Sequence, residues 1–134
     1  MNWKHFCVAV LAAGFVSSMT DWFFAGILFH SKYSTHPEVW RQRPGKSEAP
    51  AVTWSVVLGF LTAAAFVFTC AVFRVHGYDG TLKLAALCWL MVPVPLLITN
   101  ALFIKLHPLV VASHTIGWLA KLCVCAVAAA LLPV

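Results

Sequence analysis

Four long apolar runs separated by short polar segments dominate the chain. The runs cover residues 6–29, 52–73, 82–104 and 109–132. Each is longer than the roughly 20 residues that a helix needs to cross the hydrocarbon core of a bilayer. The pattern therefore predicts an all-α fold, an integral membrane bundle of four transmembrane helices, with residues 1–134 forming a single domain.

The first run has two interpretations, a cleaved signal peptide or a retained span. Lys4 and His5 precede it, and the small residues Ser17 and Ser18 lie where a cleavage site would be expected. However, its apolar character continues to Leu28, which is longer than a signal peptide requires. We therefore interpret it as the first transmembrane span.

Prolines and polar residues shape the connections. The first loop, residues 30–50, contains three prolines and cannot be one continuous helix, although a short interfacial helix at residues 37–41 fits its pattern. The polar segment 74–80 predicts a tight turn. Pro93 and Pro95 remove two backbone donors in the third run and predict a kink there. Residues 105–108 are so few that the third and fourth spans must be antiparallel neighbours.

Composition and charge agree with a lipid environment. The chain is 62% hydrophobic and only 10% charged, whereas roughly 25% of residues are charged in soluble domains. Its net charge is +5, and the first loop holds four of the nine Lys and Arg residues; anionic lipid headgroups explain this basic loop, and a nucleic-acid partner is disfavoured. The first and third loops together hold more Lys and Arg than the opposite side, which favours a cytoplasmic first loop.

Two side chains of opposite charge lie inside the apolar runs, Asp21 in the first and Lys121 in the fourth. At the centre of a span an ionisable group costs roughly 2.5–3.5 kcal/mol, so it usually faces protein or water. Helix rise places Asp21 about 12 Å and Lys121 about 18 Å from the same membrane surface. A lysine side chain extends about 6 Å. The two groups can therefore pair if the first and fourth spans touch.

Other polar and aromatic residues at comparable depth complete a candidate binding cluster. Its members are Thr20, Asp21, Asn100, His114 and Lys121, with Trp22, Trp89 and Trp118 as its aromatic lining. One interpretation is a small binding site or a proton path. The other is that these groups satisfy one another and hold the bundle together, through interhelical bonds worth about 0.6 kcal/mol on average.

No motif for a cofactor, metal or nucleophile is found in the sequence. There is no HExxH, CxxCH, phosphate loop or carboxylate dyad, so we expect no cofactor and no metal; His30 and His36 come nearest to a ligand pair. The five cysteines lie in the apolar runs and are interpreted as small hydrophobes. Asp21 and His114 leave acid–base catalysis open, although an enzyme is disfavoured because no nucleophile or substrate group accompanies them.

Two segments resemble a known family. They are W-F-F-A-G-I-L-F-H-S-K-Y, which begins at Trp22 and is followed by Trp40, and T-N-A-L-F at 99–103 with I-G-W-L at 116–119. Both are similar to patterns in the small bacterial membrane family called domain of unknown function 1761. The best matches are Leu28, Phe29, Lys32 and Trp40, whereas Ser31 replaces the family's usual glycine. The resemblance implies a four-span fold and assigns no activity.

Two functional hypotheses follow. The first is a module in the bacterial cytoplasmic (inner) membrane that binds or transports a small apolar or lipid-like molecule, entered from the first-loop side. The second is an accessory subunit that packs against a larger membrane complex or another copy of itself. The small residues at 63–65 and 126–130 would provide its contact faces. Membrane lipids are partners in both, and a small ion channel is a further option.

Overall fold

The computed structural model describes residues 1–28 and 47–132. Within them the chain forms α1 (Trp3–Asp21), a π-helical segment (Trp22–Leu28), α2 (Ala49–Val72), α3 (Gly77–Met91), α4 (Pro93–Phe103) and α5 (Pro108–Leu131). In this part of the chain four helical stretches are long and apolar enough to cross a membrane. The predicted all-α bundle of four transmembrane helices is confirmed. The proposed interfacial helix at 37–41, and His30 and His36, lie outside the described residues.

The turn between the second and third spans is shorter than the predicted segment 74–80. The third span begins at Gly77 and not at residue 82, and Asp79 lies in its first turn. An acidic side chain is favoured there by the helix dipole, and Lys83 pairs with Asp79 at 2.7 Å along the helix surface. Arg74 and Gly77, with φ of 52° and 71°, reverse the chain direction. Some polar residues that the sequence assigns to the turn therefore form the first turn of the third span.

The third span is interrupted where the two prolines predict a kink. α3 ends at Met91, and Val92, at φ −123° and ψ −68°, lies outside helical geometry. Because Pro93 and Pro95 have no backbone N–H, the next bond across the break runs from the Leu96 nitrogen to the Val92 oxygen, at 3.1 Å. α4 therefore continues the span after an irregular turn, as the sequence predicts.

The last span, α5, occupies the centre of the bundle. It packs against α1, α2, α3 and α4. The core between the spans is made largely of small side chains, namely Ala9 and Ala13 of α1, Ala63 of α2, Ala85 of α3, and Ala126 and Ala129 of α5. Small residues let helix backbones approach closely in a membrane, where there is no hydrophobic force between helices. The first and fourth spans are therefore neighbours, as pairing of Asp21 with Lys121 requires.

α1 and α2 are in close contact at Gly14. A Cβ atom at this position would lie 2.3 Å from Cδ1 of Phe60 on α2. Ordinary side-chain contacts are never this short, so the phenyl ring occupies the space that the missing side chain leaves. This contact fixes how α1 lies against α2.

Candidate functional site

An ion pair joins α1 to α5 inside the membrane-spanning region. The Lys121 Nζ donates a hydrogen bond to the Asp21 Oδ2 at 2.6 Å. The same Nζ lies 4.8 Å from the ring centroid of Trp118, one turn earlier on α5, which adds a cation–π attraction. Helical side chains lean toward the N-terminus of their helix, so Lys121 extends toward the shallower Asp21. The pairing that the sequence left open is present in the structure.

The two charges differ in how far they are enclosed. The Lys121 side chain is only 8% exposed, whereas the Asp21 side chain is 30% exposed. The ammonium group is thus surrounded by protein, and the carboxylate is the partner that remains open on one side. Asp21 is one of the residues that line a cavity of about 210 Å³.

One wall of the cavity is a face of α5. It comprises Ser113, His114, Gly117, Trp118 and Lys121, which are spaced three or four residues apart in two rows. Gly117 lies at the middle of the wall, where an added Cβ would meet only a phenyl ring, at 3.9 Å. His114 is the second titratable group on this helix to interact electrostatically with Asp21. The predicted residues His114, Trp118 and Lys121 are therefore brought together with the carboxylate.

The opposite wall comes from α1, the π-helical segment and α2. Asp21 and Phe24 contribute from the first span, and Ser55, Leu58 and Thr62 contribute from α2 at a spacing of three and four residues. The Thr62 Oγ1 donates its hydrogen to the Leu58 carbonyl oxygen at 2.8 Å. Its remaining hydrogen-bonding capacity is therefore that of an acceptor. Asp21 is the one residue of this wall that the sequence predicts; Phe24 and the three residues of α2 were not expected here.

The position of Phe24 depends on the π-helical segment that begins immediately after Asp21. Seven residues, Trp22–Leu28, have this geometry. Such segments are rare, usually span a single turn, and occur frequently at functional sites. Here the segment places the Phe24 ring above Gly117 of α5. The irregular backbone thus supplies an aromatic wall directly beside the ion pair.

Several residues of the predicted cluster do not line this cavity in the part of the chain that the structure describes. The Thr20 hydroxyl donates to its own helix, at the Val16 oxygen. Trp22 points outward and is 61% exposed. Asn100 lies on α4, beyond the proline break, and the cavity has no wall from that helix. Depth along the membrane normal was the basis for including them, and depth does not specify which way a side chain points around its helix.

Trp89 has a structural role instead of a place in the lining. Its indole Nε1 donates to the Thr115 carbonyl oxygen at 2.8 Å, which links α3 to α5. The Thr115 hydroxyl donates to the Val111 carbonyl oxygen at 2.7 Å, so the hydroxyl and the carbonyl oxygen of Thr115 both have hydrogen-bond partners. The bond between Trp89 and Thr115 holds the third span against the central helix, and neither residue lines the cavity.

The described residues include no group of three or more His, Cys, Asp or Glu side chains placed to hold a metal ion. All five cysteines are free thiols. Cys70 and Cys125 are buried in the core, where they pack as small apolar side chains, whereas Cys7 is exposed on α1. The chemistry available at the cavity is therefore that of one ion pair, one imidazole, hydroxyl groups and aromatic rings.

Comparisons of the chain with protein-family models, with curated proteins and with solved structures found no match. The similarity of residues 22–40 and 99–119 to the domain of unknown function 1761 accordingly stays a prediction, and the function is argued from the geometry of the cavity.

Proposed function

We propose that this protein is a membrane-embedded binding module that takes a small molecule into the cavity beside Asp21 and Lys121. The observation that carries the proposal is the open carboxylate. Asp21 keeps 30% of its side chain exposed although its partner is enclosed, and it lines a cavity of about 210 Å³. An ion pair with a purely structural role would be expected to have its remaining lone pairs satisfied by protein groups.

The composition of the walls supports binding of a ligand smaller than a typical drug. Drug-sized ligands occupy cavities of about 300–1,000 Å³ that are mostly apolar with a few well-placed polar groups. This cavity is smaller, and it combines apolar walls at Phe24, Leu58 and Trp118 with the polar groups of the ion pair. The irregular backbone at Trp22–Leu28 is also of the kind that binding sites in membrane proteins use.

We propose that the route into the cavity is from the side of the first loop and that the protein lies in the bacterial cytoplasmic membrane. Asp21 lies seven residues, about 10 Å, before the end of its span at Leu28. A molecule that enters between the end of the first span and the start of α5 would meet His114 before Lys121, because His114 is two turns nearer the start of α5.

The alternative of an accessory subunit receives less support from the packing. It relied on the small residues at 63–65 and 126–130 as contact faces for another chain. Ala63, Ala126 and Ala129 are buried within the bundle itself. Since these three side chains are already packed in the core between the spans, they do not form an outward surface for a partner.

Two matched glycine variants test the binding proposal. Gly117→Ala places a methyl group in the cavity, and Gly59→Ala places one at the α1–α2 contact, 3.5 Å from the Ser18 hydroxyl. Both added atoms make ordinary contacts, so both variants should fold.

Calorimetric titration of the purified protein in nanodiscs with benzyl alcohol, toluene, benzylamine and benzoate should detect saturable binding of at least one probe. Gly117→Ala should weaken it at least fivefold and Gly59→Ala should not, because one methyl group matters in a tight pocket. Equal affinities in both variants would contradict the proposal.

A further inference from the structure

We infer that the ligand of this cavity is an uncharged small molecule that donates hydrogen bonds, such as an alcohol or an amide on an apolar body. The inference rests on the proposed function and names the chemical class that the site accepts. It follows from which polar groups of the walls are open, what they can still bond, and how much charge the site can hold.

Two polar groups of the walls, the Asp21 carboxylate and the Thr62 hydroxyl, can only accept hydrogen bonds, whereas the Ser55 and Ser113 hydroxyls can accept or donate. An ionised carboxylate accepts hydrogen bonds and cannot donate them. Lys121 uses one oxygen of Asp21, and the 30% exposed side chain, which lines the cavity, has further lone pairs that can accept a hydrogen bond. The Thr62 hydroxyl has committed its hydrogen to the Leu58 carbonyl, so it too can only accept. A ligand that donates a hydrogen bond is the complement of both groups.

The strongest donor of the site is largely enclosed and already paired. The Lys121 ammonium is 8% exposed, donates to Asp21 at 2.6 Å and lies 4.8 Å from the Trp118 ring centroid. A carboxylate or phosphate would have to displace Asp21 to reach it. Doing so would leave the aspartate charge without its partner at membrane depth, which is strongly unfavourable. Anionic ligands are therefore disfavoured.

Cationic ligands are disfavoured by the charge balance. Asp21 and Lys121 sum to zero, and the α2 wall of Ser55, Leu58 and Thr62 contributes no charge. A bound cation would thus be an uncompensated charge inside the bundle, where such a charge is costly. His114 is the other titratable group of the lining, and in its protonated form it would repel a cation further. An uncharged donor avoids both penalties.

A series of probes with one ring and different substituents tests the inference. Benzyl alcohol, toluene, protonated benzylamine and benzoate are titrated into the full-length protein in nanodiscs at pH 8, where an ordinary imidazole is neutral. Benzyl alcohol should bind at least fivefold more tightly than toluene, because it alone adds a donor without a charge. It should also bind more tightly than either ion. Tightest binding of benzylamine or of benzoate would overturn the inference.

Two threonines on α2 provide a matched pair of variants. Thr62→Val removes an acceptor from the cavity, whereas Thr69→Val removes a hydroxyl with the same 2.8 Å bond to its own helix and no place in the lining. The first should lower the affinity for benzyl alcohol at least threefold and leave toluene unchanged, and the second should alter neither. An equal affinity for benzyl alcohol in both variants would overturn the inference.

The outcomes separate this inference from the proposed function. Binding that is weakened by Gly117→Ala but shows another order of probes contradicts only the ligand class. If none of the four probes binds saturably, both the ligand class and the proposed function are contradicted.

Discussion

The ion pair between α1 and α5 permits a quantitative prediction, because its two partners are enclosed to different degrees. Asp21→Asn leaves an ammonium that is 8% exposed, and Lys121→Met leaves a carboxylate that is 30% exposed. Losing one partner of a buried pair is strongly destabilising since the remaining charge is uncompensated. The aspartate substitution should therefore be the more damaging of the two.

The expected magnitudes follow from the cost of an unpaired charge in a span. That cost is roughly 2.5–3.5 kcal/mol at the helix centre, so Asp21→Asn should destabilise the protein by about 3 kcal/mol. The charge left unpaired by Lys121→Met is the Asp21 carboxylate. Because this group is nearer the membrane surface and lines the cavity, the variant should lose only about 1–2 kcal/mol of stability. With both charges removed, the double variant should lie within about 1 kcal/mol of the original protein. The coupling between the two sites is then about 3–5 kcal/mol.

A double-mutant cycle measures this coupling. The free energy of unfolding of the original protein, the two single variants and the double variant would be determined by denaturant titration in one mild detergent, followed by far-ultraviolet circular dichroism. Additive effects of the two substitutions would refute the reasoning, because they would mean that neither charge depends on the other. An unchanged free energy of unfolding in both single variants would refute the reasoning as well, since both charges would then be compensated by other groups.

Three further variants test the packing in the same unfolding assay. Gly14→Ala should destabilise the bundle by about 1–3 kcal/mol, because its Cβ would lie 2.3 Å from Phe60, and Phe60→Leu should restore part of the loss; no loss would contradict the close contact. Trp89→Phe should cost about 1 kcal/mol through loss of its interhelical hydrogen bond, and an unchanged stability would show that the bond is unimportant. Lys83→Met should have no measurable effect because its ion pair is exposed.

The sequence was sufficient to predict the fold and the centre of the site. Continuous apolar runs determine the number of spans, and two opposite charges in such runs have few ways to avoid their cost other than pairing. Counting residues gave the depths of Asp21, His114 and Lys121, and the structure brings these three together. Ser113 and Gly117 could have been found too, since they precede Lys121 by two turns and one turn on the same helix face.

Other parts of the site could not be predicted, for identifiable physical reasons. Ser55 and Thr62 carry no signal in a sequence, because hydroxyls in spans commonly bond to their own helix, as Thr62 does. Asn100 has a suitable depth, but its direction depends on how the chain turns at Val92. The placement of Phe24 depends on a π-helical segment that the apolar run does not encode in its pattern.

The central place of the last span has a consequence for how the protein is made. Asp21 and Lys121 are 100 residues apart in the chain. At about 5–20 residues per second, the ribosome produces the lysine roughly 5–20 seconds after the aspartate. During that interval the first span holds its carboxylate in or near the insertion machinery without its partner, and α1, α2 and α3 lack the helix around which they pack. Biogenesis should therefore be most vulnerable before α5 emerges, and a ribosome stalled late in translation would expose a nascent chain to membrane quality control.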